Sequence, residues 1–379
     1  MKLLVKIILV PPLLLAWLWS LGAFYYLSGG ASSGIALLAA LGFIAGTVIS
    51  LWRFGSRGLW WVPTGFLIAL AWFFSVQPSH DRDWRPEYSR IASAEFQGDT
   101  VTVRNIRNFH YRSADDFDVE YYDKTYDLTE LDTADLVMCY WDGNTAIAHT
   151  MLSFGFGGED YLCLSVETRR AEGQAWGGLP GIYRQFEVIY ILGDERDLIN
   201  LRTSYRGEDV YLYRLNVPPT EIRQYFELTL RDINALNDQP EFYNTWDYNC
   251  SSALQRVSKE LWPERPRTTG TRGLLNGYTD ADAYARGRVA DYLPFEELKK
   301  KSYISRLGHE LRYEPDFSRK VRAALPPLES PEPPGGQQEA ANPGAQQAVA
   351  QNQQGVDSFR KAAAPAWKAA ATRWNRRTR

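Results

Sequence analysis

From Ile7 to Trp52 the chain carries no charged side chain. A largely apolar stretch of that length without charge must be enclosed by protein or by lipid, and it restricts the fold more than any other feature. Ser28-Gly29-Gly30-Ala31-Ser32-Ser33-Gly34 breaks it into two runs, and a third apolar run extends from Leu59 to Val76. Each approaches the roughly 20 residues with which a helix crosses a hydrocarbon core, where an unbroken helical ladder satisfies the backbone polar groups. Three transmembrane helices are therefore expected within residues 1–77. A cleaved signal peptide fits less well, because the first run is long, lacks a small-residue cleavage site and is followed by two more. Lys2 and Lys6 precede the first run, Arg53 and Arg57 lie between the second and third, and the loop between the first two has no charge. The positive-inside rule then places the N-terminus in the cytoplasm and everything after about Gln77 across the membrane, in the periplasm of a bacterial inner membrane. Trp60, Trp61 and Trp72 suit the interfacial belt.

The remainder reads as one soluble domain with a polar approach and a biased tail. Residues 78–112 are mixed polar, a linker with Val101-Thr102-Val103 as an entry strand. Between 113 and 325 the periodicity is that of a mixed α+β domain. Strands are expected over 135–141, 146–156, 161–168, 185–192 and 209–215, with Gly157-Gly158-Glu159-Asp160 turning a hairpin between the second and third. Pairing across that turn brings His149 opposite Glu167 or Thr168. Helices are expected over Pro219–Leu236 and Cys250–Trp262; Pro263 stops the latter. Residues 326–355 are mainly Pro, Gln, Ala, Gly and Glu without a basic residue, a disordered composition. The end, 356–379, is basic with Phe359, Trp367 and Trp374, which suits either contact with anionic head groups or a solvated tail. A net charge of −3 argues against nucleic acid as a partner.

Three cysteines and four histidines are too dispersed for a zinc site or a disulfide framework. Cys139 and Cys163 lie in apolar strand runs and read as core, with a disulfide between them open in an oxidising compartment. Cys250 differs: Asn249, Ser251 and Ser252 surround it at a helix start, with Asn249 a plausible N-cap. Backbone N–H groups and the dipole favour a thiolate there. His149, on a strand earlier in the chain, is the candidate base; a structural histidine and a core cysteine are the bland alternatives. Glu167 is placed to orient the imidazole, or else to pair with Arg169 at the strand end. His80, His110 and His309 have no metal-ligand partner at useful spacing. No cofactor motif is present.

Several ordered blocks resemble the Lnb N-terminal periplasmic domain family: Val103–Phe109 with Tyr111–Phe117, His149–Phe156, Leu164–Arg170, Ile191–Arg202, and Phe242-Tyr243-Asn244-Thr245 leading to Asn249-Cys250. The resemblance spans about residues 100–265. It implies a permuted papain-like, NlpC-type domain, in which histidine precedes cysteine, with an antiparallel sheet and a helix bearing the nucleophile. It also implies Cys250 and His149 as the catalytic pair. The expected function is that of a membrane-anchored cysteine acyltransferase. It would draw on phospholipid or lipoprotein acyl groups, with lipoprotein N-acylation through an acyl-thioester on Cys250. A periplasmic thiol amidase or peptidase acting on cell-wall peptides is the enzymatic alternative, and a membrane-tethered binding domain the non-enzymatic one.

Overall fold

Lys2–Leu27 forms α1, with Pro11 and Pro12 inside it. Gly34–Phe54 forms α2, its first turn capped by the Ser33 hydroxyl accepting from the Ile35 N–H. A 3-10 turn over Gly55–Trp60 leads into α3, Trp61–Ser75. This is a computed structural model, and it describes residues 2–29, 33–265 and 276–328. The expected tail thus lies outside the described residues from 329 onward. Two stretches are long and apolar enough to cross a membrane, Val10–Leu27 and the helical run Gly34–Ser75. The run expected as a third span forms α3, which at 15 residues is shorter than the roughly 20 a full crossing takes. α1 packs on both α2 and α3, and the Trp17 indole donates to the Thr47 hydroxyl at 3.0 Å.

Two compact units are present. The first comprises Met1–Ser89, Glu167–Ile189 and Asp238–Asn249; the second comprises Arg90–Val166, Tyr190–Asn237 and Cys250 onward. In the first unit, Arg169 donates to the Tyr88 carbonyl at 3.0 Å and stacks over Trp84, and Arg82 pairs with the buried Glu187 at 2.7 Å. These contacts hold residues 79–89 against the 167–189 segment.

The second unit is built on a mostly antiparallel sheet. The strands of this sheet are β1 (Ser93–Gln97), β2 (Thr100–Arg107), β5 (Tyr121–Asp127), β6 (Leu131–Tyr140), β7 (His149–Phe156), β8 (Asp160–Arg169), β9 (Glu187–Gly193) and β10 (Asp209–Arg214), with Glu167–Arg169 of β8 and Glu187–Ile189 of β9 falling in the first unit. The order is β1-β2-β9-β8-β7-β6-β10, with β5 also paired to β2. β2 meets β9 in parallel at Arg107 and Gly193. A separate two-stranded hairpin joins β3 (His110–Tyr111) and β4 (Phe117–Asp118). The expected strands are all present within a few residues, and the segment read as a linker, 78–112, holds both β1 and β2. Polar side chains at solvent-facing positions hid those two strands from a search for apolar runs: in β2, Val101, Val103 and Ile106 are buried while Arg104 is exposed.

Beyond the strands come α4 (Glu195–Asn200), which continues as a π-helical turn to Arg206, α5 (Pro219–Asp238) and α6 (Cys250–Leu261). These are followed by α7 (Thr279–Ala285), α8 (Phe295–Lys301), α9 (Ser305–Glu310) and α10 (Phe317–Arg322). α5 buries Ile222, Tyr225, Phe226, Thr229, Leu230, Ile233 and Leu236, one stripe at helical spacing. Phe226 meets Phe154 of β7 at 4.8 Å between ring centroids, and the Tyr225 hydroxyl donates to the Leu254 carbonyl of α6 at 2.9 Å. Phe226→Ala is expected to cost about 3–5 kcal/mol, as cavities under large rings do.

The second unit also buries a charge cluster. Arg322 of α10 donates to Asp135 at 2.8 Å and to Glu195 at 2.6 and 2.8 Å, and Arg214 donates to Asp135 at 2.6 Å. Burial raises the Glu195 pKa, but the Arg322 guanidinium and the bonds it and Ser153 donate more than offset this and leave it below the usual range. A carboxyl with a lowered folded pKa adds stability that is present above its unfolded value near ~4.3 and fades as pH falls through the folded one. Acid titration by tryptophan fluorescence is therefore expected to show destabilisation below about pH 4 that is weaker in Glu195→Gln.

Candidate functional site

β7 begins at His149 and α6 begins at Cys250, so the two side chains singled out in the sequence sit at the starts of elements that pack together. The chain enters α6 through a tight turn. Asn244 and Tyr248 exchange backbone hydrogen bonds of 3.0 Å, and the Asn249 side-chain amide donates to the Thr245 carbonyl at 3.0 Å. The bond that the Asn249 amide donates holds the turn ahead of the helix. Cys250 is half-buried at the first position of α6, whose buried face is Ser251, Ala253, Leu254 and Val257.

A third residue links the two starts. The Asn276 side-chain oxygen accepts from the backbone N–H of Ala148 at 3.0 Å, and its amide nitrogen lies 3.6 Å from the Cys250 sulfur. One buried amide therefore connects the residue preceding His149 to the candidate nucleophile. Its place is set by backbone contact. Gly277 N–H donates to the Ala146 carbonyl at 3.1 Å, and a Cβ on Gly277 would stand 2.2 Å from the Thr145 carbonyl oxygen. The Tyr140 hydroxyl donates to the Gly277 carbonyl at 2.7 Å and approaches Asp280, which Lys299 pairs with at 2.8 Å. Burial, reinforced by the Asp280 charge, raises the Tyr140 pKa well above its ordinary value, so this phenol stays a neutral donor.

The imidazole of His149, 9 % exposed, bonds through Nε2 to the Ser165 hydroxyl at 2.7 Å. Ser165 stands opposite Met151 in the β7–β8 ladder. Continuing that register by two residues gives the expected pairing of His149 with Glu167, but the paired residues stop at Met151. Glu167 is half-buried on β8 and falls in the first unit. There, with Tyr88 and Glu87, its charge more than offsets the effect of burial on the Arg170 guanidinium. Arg169, its expected ionic partner, bonds His80 Nδ1 at 2.9 Å and the backbone of Tyr88 and Ser89.

The other thiols are sealed. Cys139 and Cys163 are both free and fully buried. Burial pushes the Cys163 thiol well above its usual pKa, which keeps it protonated and unreactive at neutral pH. Cys139 is a closer rival, because β6 and β7 place it directly opposite His149. Its sulfur is enclosed in the sheet core, where a substrate carbonyl has no approach; Cys250 is the thiol with solvent exposure.

Neither Asn276 nor Ser165 was identified from the sequence. Asn276-Gly277 followed by Thr279-Asp280 is a turn-then-helix signal, but nothing local marks the asparagine as a neighbour of a cysteine. Ser165 looks like an ordinary strand serine until the register is known.

A mixed α+β domain behind N-terminal apolar helices, with a half-exposed helix-start cysteine, is the class these features define. Residues 118–273 match the Lnb N-terminal periplasmic domain, and over that stretch the chain is similar to that family. His149, Ser165 and Cys250 fall inside the matched segment and Asn276 just beyond it. No curated relative and no solved structure matches the chain. A periplasmic domain carried with N-terminal apolar helices is the arrangement of a protein held at the inner membrane.

Proposed function

We propose that this protein is a periplasmic cysteine-dependent acyltransferase anchored in the inner membrane, with three crossings and a cytoplasmic N-terminus. The observation that carries the reading is the Asn276 amide, bonded to the backbone beside His149 and donating toward the Cys250 sulfur. In this mechanism His149 Nδ1 takes the proton of the Cys250 thiol while Ser165 holds Nε2. The sulfur attacks an ester carbonyl of a phospholipid. The tetrahedral intermediate collapses, the alkoxide of the lysophospholipid leaves with the proton from His149, and an acyl-thioester remains. An amine, such as the N-terminus of a lipoprotein, then attacks the thioester carbonyl, its proton passes to His149, and the thiolate is released. The Asn276 amide and the first N–H groups of α6 are the donors for the developing oxyanion. Glu167 is retained as a candidate orienting group for the imidazole.

Incubation with acyl-labelled phospholipid tests the reading: hydroxylamine-sensitive label on Cys250 supports it. A label that persists in Cys250→Ser, or turnover of cell-wall peptides without any acyl-enzyme, counts against it. Asn276→Ala is expected to lower turnover by about 10²–10³-fold, the usual effect of removing one oxyanion donor. Asn276→Asp separates the two roles. A carboxylate still accepts from the Ala148 N–H, so the fold is retained, but its charge beside the sulfur disfavours the thiolate. The measurement is the pH dependence of iodoacetamide alkylation at Cys250, expected to move to higher pH in Asn276→Asp.

A further inference from the structure

Two turns of the first unit carry large apolar side chains outward. Residues 173–183 contain no charge, and within them Trp176 is 42 % and Leu179 is 56 % exposed. The second turn is closed by the Asn244–Tyr248 backbone pair and by the Trp246 N–H donating to Asn244 Oδ1 at 2.8 Å; it holds Trp246, 60 % exposed, at its tip. The Thr245 hydroxyl donates to the Gly178 carbonyl at 2.7 Å, and a Cβ on Gly181 would stand 2.4 Å from that hydroxyl oxygen. The two turns therefore form one body. Holding such side chains in water costs about 25 cal/mol per Å² of apolar surface, and clusters of this kind mark a contact face.

What covers the cluster is indicated by where the same segment is fastened. Tyr183 is buried among α1 and α3 residues. Its ring stacks on Tyr26 at 5.1 Å, lies 5.9 Å from Trp19 and packs with Ala23 and Ala69. A Cβ on Gly22 would stand 2.2 Å from its hydroxyl oxygen, so only glycine admits this ring. The next residue, Arg184, donates to the Phe73 and Val76 carbonyls, both at 3.0 Å. A cation there meets the negative end of α3, and its guanidinium also lies over the Phe73 ring at 4.4 Å. The segment is pinned to the last turns of α1 and α3, the level at which a spanning helix leaves the hydrocarbon and where tryptophan concentrates.

We infer that Trp176, Leu179 and Trp246 seat in the headgroup and glycerol layer of the bilayer that α1 and α3 enter, which makes lipid the occupant of this face. The inference rests on the proposed membrane anchoring. It extends that reading by assigning two turns outside the apolar helices to the lipid surface.

The test uses the full-length protein in phosphatidylethanolamine/phosphatidylglycerol nanodiscs, with Leu179→Cys or Trp246→Cys carrying an environment-sensitive nitrobenzoxadiazole label in a Cys250→Ser background. Emission at both positions is expected to be blue-shifted and largely lost when the lipids carry a quencher near the ester carbonyl. A label at Tyr313, 76 % exposed in the second unit, is expected to remain water-like. Water-like emission at 179 and 246 would overturn the inference, and so would a blue shift that lipid-borne quencher does not touch, since that outcome indicates a protein partner. A label at Val48, exposed on α2, distinguishes the underlying reading: water-like emission there would remove the membrane anchoring itself. Absence of acyl transfer by the unlabelled parent protein, with lipid quenching intact in the labelled variants, would count against the proposed reaction and leave this inference standing.

Discussion

Cys250→Ala is expected to abolish acyl transfer, with a loss of at least ~10³-fold, because a covalent route has no substitute once its nucleophile is gone. The comparison that gives this result meaning is Cys139→Ala. Cys139 lies directly across the ladder from His149, so proximity to an imidazole does not by itself choose between the two thiols. Exposure does: Cys139 is fully buried and Cys250 is not. Cys139→Ala is therefore expected to retain transfer and to lose only some stability through its small cavity. Iodoacetamide mapped by peptide mass spectrometry is expected to modify Cys250 ahead of Cys139 and Cys163 in the folded protein and all three after denaturation. Equal labelling of all three in the folded state, or full activity in Cys250→Ala, would end the case for this cysteine as nucleophile.

The second large effect is expected at Arg322, on the last described helix. Its guanidinium spans Asp135 on β6 and Glu195 on α4, lies over the Tyr161 ring at 3.7 Å and also donates to Ser153. Both carboxylates are fully buried. Arg322→Ala leaves Glu195 without its cation, and removing one partner of a buried pair costs about 3–5 kcal/mol. Thermal unfolding in detergent, followed by tryptophan fluorescence, should show a large downward shift. The deficit belongs to the stranded charge more than to the lost contact, so Arg322→Met combined with Glu195→Gln is expected to recover much of it. If the single variant unfolds like the parent, the cluster is not what holds α10 to the sheet.

Much of the architecture is legible in one dimension because it follows from periodicity. The stripe Ile222, Tyr225, Phe226, Thr229, Leu230, Ile233 is visible at helical spacing, and α5 is found where it predicts. The apolar runs of β6 to β10 are equally plain, since buried strands admit few polar residues. β1, β5 and the helices after residue 276 are less visible. Their burial is partial, and single strands such as Tyr121–Asp127, with Tyr126 alone deeply buried, carry too few apolar positions to register. The third membrane crossing is the case where composition promised more than the helix delivers: Pro63 stands within the apolar run, whose first residues form a 3-10 turn.

The candidate site divides along the same line. Cys250 and His149 could be singled out because each has a local signature, a polar helix start and a strand end. Asn276 and Ser165 have none. Their significance lies in distances to residues far away in the chain, 3.6 Å to a sulfur and 2.7 Å to an imidazole.

Sequence alone therefore determined the N-terminal apolar helices, the α+β character and the two candidate side chains, because hydrophobic patterning and helix-terminus chemistry act over a few neighbouring residues. Only the tertiary structure decided which amide stands beside the sulfur, which hydroxyl holds the imidazole, which of two thiols is open to solvent, and that Tyr183 and Arg184 fasten to the ends of α1 and α3. Those are set by strand register and by close backbone approach at Gly277 and Gly22, quantities that depend on how distant segments pack and leave no mark on local sequence.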